Sequence, residues 1–395
     1  VIRHVVRVYR DAFSGLPPSV WVLSAVALVN RAGTMVLPFL SLYLTRELGF
    51  TPVRAGYVLG AFGFGSIVGS WLGGWLSDRV GPVRVQIGSL VGAGIGFVAI
   101  AGVRDPWVLG ALVFATSAVG DAFRPASMTA LVEHAPAEVH TRALALLRLA
   151  VNLGMAIGPA VGGWMASRNY TWVFLGDAAT CWLAAMVLVW WRGRLAPVRT
   201  DARVGGPASG RSPWTDGPFL ALLALVLLFG TMFLQVFATL PLYLKERYGL
   251  PENLIGAMFS LNALLIVALE MPLVRVLEGR RRLVVAAAGS LLVGTGFALM
   301  PLGAGVGFAA LTVAVWTFGE MLVLPFTNSA VAQRADPRSR GSYMGAYTMA
   351  FAVSFILAPV VGTRVYQGLG PETLWYGVGV AGVVLAAGFF RLRRR

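Results

Sequence analysis

Between about Tyr57 and Ala101, two apolar runs are separated by one short charged turn, Ser77-Asp78-Arg79-Val80-Gly81-Pro82-Val83-Arg84. Each run is close to the roughly 20 residues that cross a bilayer as a helix. The same arrangement recurs along the whole chain. Crossings are expected at 19–44, 53–76, 84–103, 107–130, 143–165 and 171–191, and again at 217–243, 253–276, 283–301, 305–328, 341–363 and 372–391. A backbone inside hydrocarbon must satisfy its own hydrogen bonds, so stretches this long and apolar are confined to helices. The expected fold class is an all-α polytopic membrane protein with 12 transmembrane helices. The least marked division is between the ninth and tenth stretches, where only Pro301-Leu302-Gly303-Ala304 intervenes.

Composition removes the alternatives. The chain is 57% hydrophobic and only 12% charged, against about 25% charged in a soluble domain. Its net charge of +15 would point to nucleic acid in a soluble protein. Here the basic residues gather at turns rather than along a helical stripe, so no nucleic-acid partner is expected. Of 32 Lys and Arg residues, 22 fall toward one face of the membrane and 7 toward the other, and Arg31, Arg124 and Arg148 lie within crossings. By the positive-inside rule this places both termini in the cytoplasm, in a cell (inner or plasma) membrane. The lone cysteine, Cys181, excludes an internal disulfide and a cysteine metal cluster. No phosphate-cradling loop sequence is present, so direct ATP drive is not expected. No cofactor and no metal are expected, with the proton as coupling ion. The expected partners are a small-molecule substrate, protons and lipid, and the expected state is a monomer.

Residues 1–13 are amphipathic, with Arg3, Arg7 and Arg10 at helical spacing, which suits a helix lying on an anionic membrane face. No removable signal segment is recognised ahead of the first crossing. Residues 192–216 are rich in Arg, Pro, Gly, Asp and Ser and form the one evident linker. The expected organisation is therefore 1–191, an amphipathic helix and six helices; 192–216, a cytoplasmic linker; and 217–395, six more helices. The halves echo one another. Gly158-Pro159-Ala160-Val161-Gly162 returns 200 residues later as Ala358-Pro359-Val360-Val361-Gly362, and Gly120-Asp121 and Pro125 return as Gly319-Glu320 and Pro325. Matches at nearly one offset are the trace of two membrane repeats. The charged turn repeats poorly, as Gly279-Arg280-Arg281-Arg282.

The segment Gly73-Gly74-Trp75-Leu76-Ser77-Asp78-Arg79-Val80-Gly81-Pro82-Val83-Arg84 has the form G-x-L-x-D-R-x-G-x-x-R. It resembles the signature loop between helices 2 and 3 of major facilitator superfamily transporters. Gly154-Met155-Ala156-Ile157-Gly158-Pro159-Ala160-Val161-Gly162-Gly163 resembles the fifth-helix motif of that family's drug/proton antiporters. The resemblance implies two six-helix bundles that alternate access to a central site. One departure is that Val113 stands where many members carry an arginine in helix 4, which puts a mechanism using that arginine in doubt. A second likeness is to proton-coupled peptide transporters. It rests on Asn30-Arg31 ahead of Leu42-Tyr43-Leu44, on Arg124-Pro125, and on Glu320 with Pro325. Asn30 replaces that family's glutamate, which removes a titrating group.

Charges inside a bilayer are costly and usually face a cavity or a partner. Arg31 is expected to face the cavity, binding an anionic group or pairing with an acid. Asp121 and Arg124, three residues apart, are expected on one helical face. Glu320 has no basic residue three or four positions away and is the first candidate for carrying a proton, with Asp121 second. Arg124, Asn30 and Trp316 join Arg31 as cavity candidates. Asp78, Arg79, Arg84, Arg148 and Glu270 are candidate gate residues, for which the family offers the precedent of a carboxylate at a helix N-terminus. Asp177 is read as solvated near the end of its helix. Gly154, Gly158, Pro159, Gly162 and Gly163 remove bulk and permit a kink, which suits a helix pressed against its neighbours. Further hydrogen-bonding capacity lies in Asn152, Gln235, Asn262 and Asn328. Tyr43, Phe62, Phe64 and Tyr347 are candidates to line an apolar cavity. The chain is expected not to be an enzyme but a secondary transporter, exporting amphipathic or drug-like molecules against protons. The alternative is import of a peptide or other zwitterion.

Overall fold

The computed structural model describes residues 15–136, 139–193, 212–277, 279–335 and 339–393. The amphipathic segment 1–13 and most of the central linker lie outside the described residues. Twelve helical stretches are long and apolar enough to cross a membrane. In chain order they are Pro18–Glu47, Pro52–Val80, Pro82–Gly102, Pro106–Glu133, Arg142–Ala166, Tyr170–Trp191, Gly217–Ala238, Glu252–Leu277, Arg282–Leu302, Gly305–Arg334, Gly341–Gly368 and Pro371–Leu392, here spans 1 to 12. Each expected crossing has its counterpart, and every described regular element is helical. Span 10 runs on to Arg334, beyond its expected end. The weak division between spans 9 and 10 is real. Met300–Leu302 tightens into a 3-10 turn, Gly303 and Ala304 are extended, and Gly305 turns the chain at φ 82°.

The starts of the spans follow from local chemistry. Proline opens spans 1, 2, 3, 4 and 12, where its missing N–H is not needed. Asp105 caps span 4, accepting from the N–H groups of Trp107 and Val108 at 3.0 Å each. Gly81, at φ 90°, turns span 2 into span 3 in a conformation that a side chain would strain.

By internal contact the chain forms two compact units. The first contains the chain up to Val36, Gly65–Pro159, and the chain from Thr171 into the linker. The second contains Leu37–Phe64, Ala160–Tyr170 and the chain beyond the linker. In this grouping parts of spans 1, 2 and 5 pack with the spans that follow the linker. Glycine is the reason. In the second unit a Cβ on Gly56 would lie 2.7 Å from the Pro359 carbonyl oxygen, and one on Gly63 would lie 2.6 Å from that of Phe355. Polar contacts follow the same seam. Arg364 donates to the Tyr57 hydroxyl at 2.7 Å, Arg46 pairs with Glu246 at 3.2 Å, and the Val53 N–H donates to Gln367 at 3.1 Å.

Within the first unit, span 2 lies against span 4 along Gly65, Gly69 and Gly73. A Cβ there would approach the carbonyl oxygens of Phe114, Ala118 and Ala122 to 2.3, 2.2 and 2.5 Å. Within the second, span 9 packs against spans 10 and 12. Gly289 and Gly319 press onto each other's carbonyl oxygens, and Gly294 meets Gly382. Small residues at these contacts let backbones approach, which is the main source of cohesion where lipid is as apolar as the protein.

A paired substitution tests this packing. Gly69→Val, driven into backbone at 2.2 Å, is expected to cost about 1–3 kcal/mol and to lower the detergent-solubilised unfolding midpoint. Gly74→Ala, with nothing within 4 Å, is expected to leave the midpoint unchanged or slightly raised.

Candidate functional site

Each unit contains its own group of polar side chains on otherwise apolar spans. In the first unit, the helix of span 1 ends at Ala32 and resumes at Val36. Arg31 stands one residue before that interruption and is half-buried. The charges that act on it are those of Arg124 and Asp121. Span 4 is also interrupted, with one helix ending at Asp121 and the next starting at Phe123. Pro125 accounts for this, since its ring crowds the carbonyl of Asp121 and it has no N–H to offer. Asp121 is half-buried and Arg124 exposed. Among the described residues no ion pair joins Arg31, Asp121 or Arg124 to any partner, so the internal pair allowed by their spacing does not form. The first unit thus presents two guanidinium groups and one carboxylate without a permanent partner. Asn30 faces span 6 instead, its amide donating to the Cys181 sulfur at 3.8 Å.

In the second unit, Glu320 lies on span 10 between two neighbouring elements. The Asn262 amide of span 8 donates to the Glu320 carboxylate at 2.9 Å and reaches the Thr317 hydroxyl at 3.0 Å. Thr317 in turn donates to the Val313 carbonyl at 2.6 Å. Glu270, buried on span 8, is the nearest acting charge. Among the described residues no cation bonds Glu320. A carboxyl held by one neutral amide inside a membrane span can accept a proton without breaking an ion pair.

Trp316 is not a cavity residue. It is 1% exposed and packs between Phe233 and Phe297, with ring centroids at 5.9 and 5.5 Å. Gly296 of span 9 leaves the space that the indole backbone needs, and burying so large a ring outweighs its proximity in sequence to Glu320. Of the other expected cavity aromatics, Phe62 lines a small apolar cavity with Leu37, Leu59, Leu234, Phe237 and Phe355. Tyr43 is buried against Tyr170, Tyr347 is buried with its hydroxyl 3.0 Å from that of Thr327, and Phe64 is exposed.

The expected gate residues divide. Asp78, Arg79, Arg84 and Arg148 are exposed, and Arg79 stacks over the Trp75 ring at 3.8 Å. Glu270 is buried near Glu320. The glycine motif of span 5 has faces in both units. In the first, Gly154 and Gly158 lie against Arg31 and the carbonyl of Ala32. In the second, Gly163 lies 2.5 Å, by its absent Cβ, from the Glu252 carbonyl oxygen. Pro159 sits inside the helix, and Gly162 is buried.

Asp177 corrects its sequence reading. It is 2% exposed rather than solvated, and it accepts the backbone N–H groups of Met35 and Val36 at 2.9 and 3.1 Å. The signal available in the sequence was Gly33 followed by Pro38, which marks a helix interruption and hence orphaned N–H groups needing an acceptor. Asp216 was also missed as a hub. At the start of span 7 it accepts from the Phe219 N–H, from the Tyr343 hydroxyl and, at 2.7 and 2.6 Å, from Arg334. The hydrogen bonds from Arg334 hold its carboxyl below the ordinary carboxylate range.

A chain with twelve apolar helices, close glycine contacts and a few mid-span charges is a polytopic membrane protein of the transporter class. The model of the Major Facilitator Superfamily matches residues 22–359, and the chain belongs to that family. It is 27% identical over 343 residues to the uncharacterised MFS-type transporter YqjV of Bacillus subtilis, covering 83% of this chain and 82% of that protein. It is 26% identical over 361 residues to the multidrug resistance protein MdtH of Salmonella typhimurium, covering 89% and 88%. Among solved structures, a peptide transporter POT in complex with sulfate superposes with a TM-score of 0.82 at 18% identity, covering 97% of this chain and 96% of that one. The nucleoside transporter NupG superposes with a TM-score of 0.79 at 13% identity, covering 95% and 99%. These likenesses establish the major facilitator fold and a transporter rather than an enzyme.

Two stability predictions follow from the hydrogen bonds. Asn262→Leu removes the one donor bonded to Glu320 among the described residues and is expected to cost about 1–3 kcal/mol, whereas Glu320→Gln keeps an acceptor for Asn262 and is expected to cost less in the same melting assay. For Asp216 the folded carboxyl is depressed, so its contribution is fully present above about pH 4 and is lost as the pH falls through the folded value. Arg334→Met is therefore expected to lower the unfolding midpoint at pH 7 and to converge with wild type as the pH is taken below about 4.

Proposed function

We propose that this protein is a secondary active transporter that exports amphipathic or drug-like molecules in exchange for protons by alternating access. The observation that carries this reading is Glu320, a mid-span carboxyl whose bonded partner is the Asn262 amide and which no cation neutralises among the described residues. A group so placed can be charged or neutral as its exposure to water changes. Asp121, without an ion-pair partner among the described residues, is the second proton carrier. Arg31 and Arg124 set the charge of the substrate path. The similarity to MdtH, named as a multidrug resistance protein, supports export.

In this reading the termini are cytoplasmic in the cell membrane, as the arginine distribution implies, and the protein works as a monomer in lipid without a cofactor. The contacts of Gly56 and Gly63 with span 11 and the Arg46–Glu246 pair, all within the second unit, are candidate gate contacts on the far side of the membrane. Exposed Asp78, Arg79, Arg84 and Arg148 belong to a cytoplasmic gate in this reading. Glu270 links that gate to Glu320.

A second reading, import of a peptide or zwitterion, is favoured by one observation. Among the described residues Arg31 and Arg124 are two guanidinium groups with no carboxylate bonded to them, and they would take a substrate carboxylate while Glu320 takes an amine. Competition between dipeptides and lipophilic cations for the purified protein separates the readings.

The coupling role is tested in liposomes. Wild type is expected to move ethidium when a pH gradient is imposed, and Glu320→Gln is expected to abolish that driven movement while retaining the wild-type melting profile to within a few degrees. Driven transport that survives the substitution undiminished rejects the role given to Glu320.

A further inference from the structure

We propose that Asp177 is a positioning residue for transport: its buried carboxylate holds span 1 broken at residues 33–35. The geometry is specific. One helix ends at Ala32 and the next begins at Val36. In a continuous helix the N–H groups of Met35 and Val36 would aim at the carbonyls of Arg31 and Ala32. Here the Met35 N–H is shared between one Asp177 oxygen at 2.9 Å and the Gly33 carbonyl at 2.8 Å, and the Val36 N–H donates to the other Asp177 oxygen at 3.1 Å. Asp177 is 2% exposed, and no cation bonds it among the described residues. Each side therefore depends on the other. The carboxylate obtains its hydrogen bonds from the break, and it supplies the break with two acceptors beside the Gly33 carbonyl that the Met35 N–H also reaches.

Neighbours shape the break from other sides. A Cβ on Gly33 would lie 1.9 Å from the Thr180 hydroxyl, one turn along span 6 from Asp177. A Cβ on Gly158 of span 5 would lie 3.0 and 3.2 Å from the carbonyl oxygens of Ala32 and Thr34. Pro38 offers no N–H to Thr34, so the helix is weakest where the carboxylate engages it. The break also falls where the chain leaves the first compact unit, between Val36 and Leu37. Arg31, the buried-side cation of the first unit, is only four residues before Met35. Fixing the break fixes the end of the helix that presents Arg31.

The bonds are exchangeable. If the carboxylate lets go, the two N–H groups have acceptors one turn back, and span 1 straightens. Asp177 thus controls a two-state element rather than merely filling a core. This role in transport rests on the alternating-access reading, but the clamp itself does not.

The test uses the full chain with Cys181 replaced by serine and nitroxides at positions 21 and 47, read by pulsed electron paramagnetic resonance. The broken helix is expected to give a distance shorter than the roughly 39 Å that 26 residues of unbroken helix span. Asp177→Asn, which turns one acceptor into a donor facing an N–H, is expected to shift the distribution toward that longer value. Asp177→Glu, which keeps both acceptors, is expected to restore the shorter one. Should the Asn variant not accumulate, Asp177→Ser removes the paired acceptors and carries the same expectation. A neutral variant with the wild-type distribution, or a Glu variant that behaves like the neutral ones, overturns the clamp. The readout involves no solute, so its failure is distinct from failure of the export reading, which would appear as absent ethidium transport by wild type.

Discussion

The contact on which both units depend is a glycine pressed onto the backbone of a neighbouring span. In water, two helices are driven together by the apolar surface they hide. In lipid that drive is missing, because the tails are as apolar as leucine. What remains is dispersion across short distances, and this grows only if backbones come close. Gly65, Gly69 and Gly73 against span 4, Gly289 against Gly319, and Gly294 against Gly382 all supply that closeness. A methyl group at any of these positions would meet a carbonyl or another backbone atom at 3.0 Å or less. The 48 glycines of the chain are therefore not a diffuse compositional bias. Those at contacts are the packing surface itself.

The mid-span polar groups obey a second constraint. A buried donor or acceptor without a partner is penalised heavily in hydrocarbon. Asp177 meets it with two backbone N–H groups, Glu320 with an amide, and Gln235 with the carbonyl of Ala358 at 2.8 Å and the Thr239 hydroxyl at 2.9 Å. Each solution couples two elements of one unit, spans 6 and 1, 8 and 10, 7 and 11. The trio Arg31, Asp121 and Arg124, half-buried or exposed, has no ion pair among the described residues.

Much of this was legible in the sequence, for identifiable reasons. The spans were, because length and hydropathy alone decide what can cross a bilayer. Glu320 was, because a lone acid in an apolar run needs an explanation. What sequence periodicity could not resolve was direction around a helix when all faces are apolar. Trp316 and Glu320 are one turn apart, yet one enters an aromatic stack and the other reaches Asn262. Asp177 was read as solvated because it is near a helix end, but depth along a helix says nothing of what backbone lies beside it. The partner of a carboxylate is visible to pattern reading when it is a cation, and invisible when it is an N–H released by a broken helix 140 or so residues away.

The glycine motif of span 5 shows why resemblance and mechanism need separate arguments. As a pattern it resembles that of drug/proton antiporters, yet none of its residues can bind or titrate. Its physical content is that its two ends serve different contacts. Gly154 and Gly158 bear on the turn of span 1 that holds Arg31, while Gly163 bears on the start of span 8 at Glu252. The chain passes from one compact unit to the other directly after Pro159, the residue between them that donates no N–H and can absorb a bend. Span 1 makes the same passage directly after Val36, at its own break. Points where helical hydrogen bonding is already interrupted are the ones that can turn without losing further bonds. The sequence therefore places interruptions of helical hydrogen bonding at Pro159 and at residues 33–35, next to the positions where the chain passes between its two compact units.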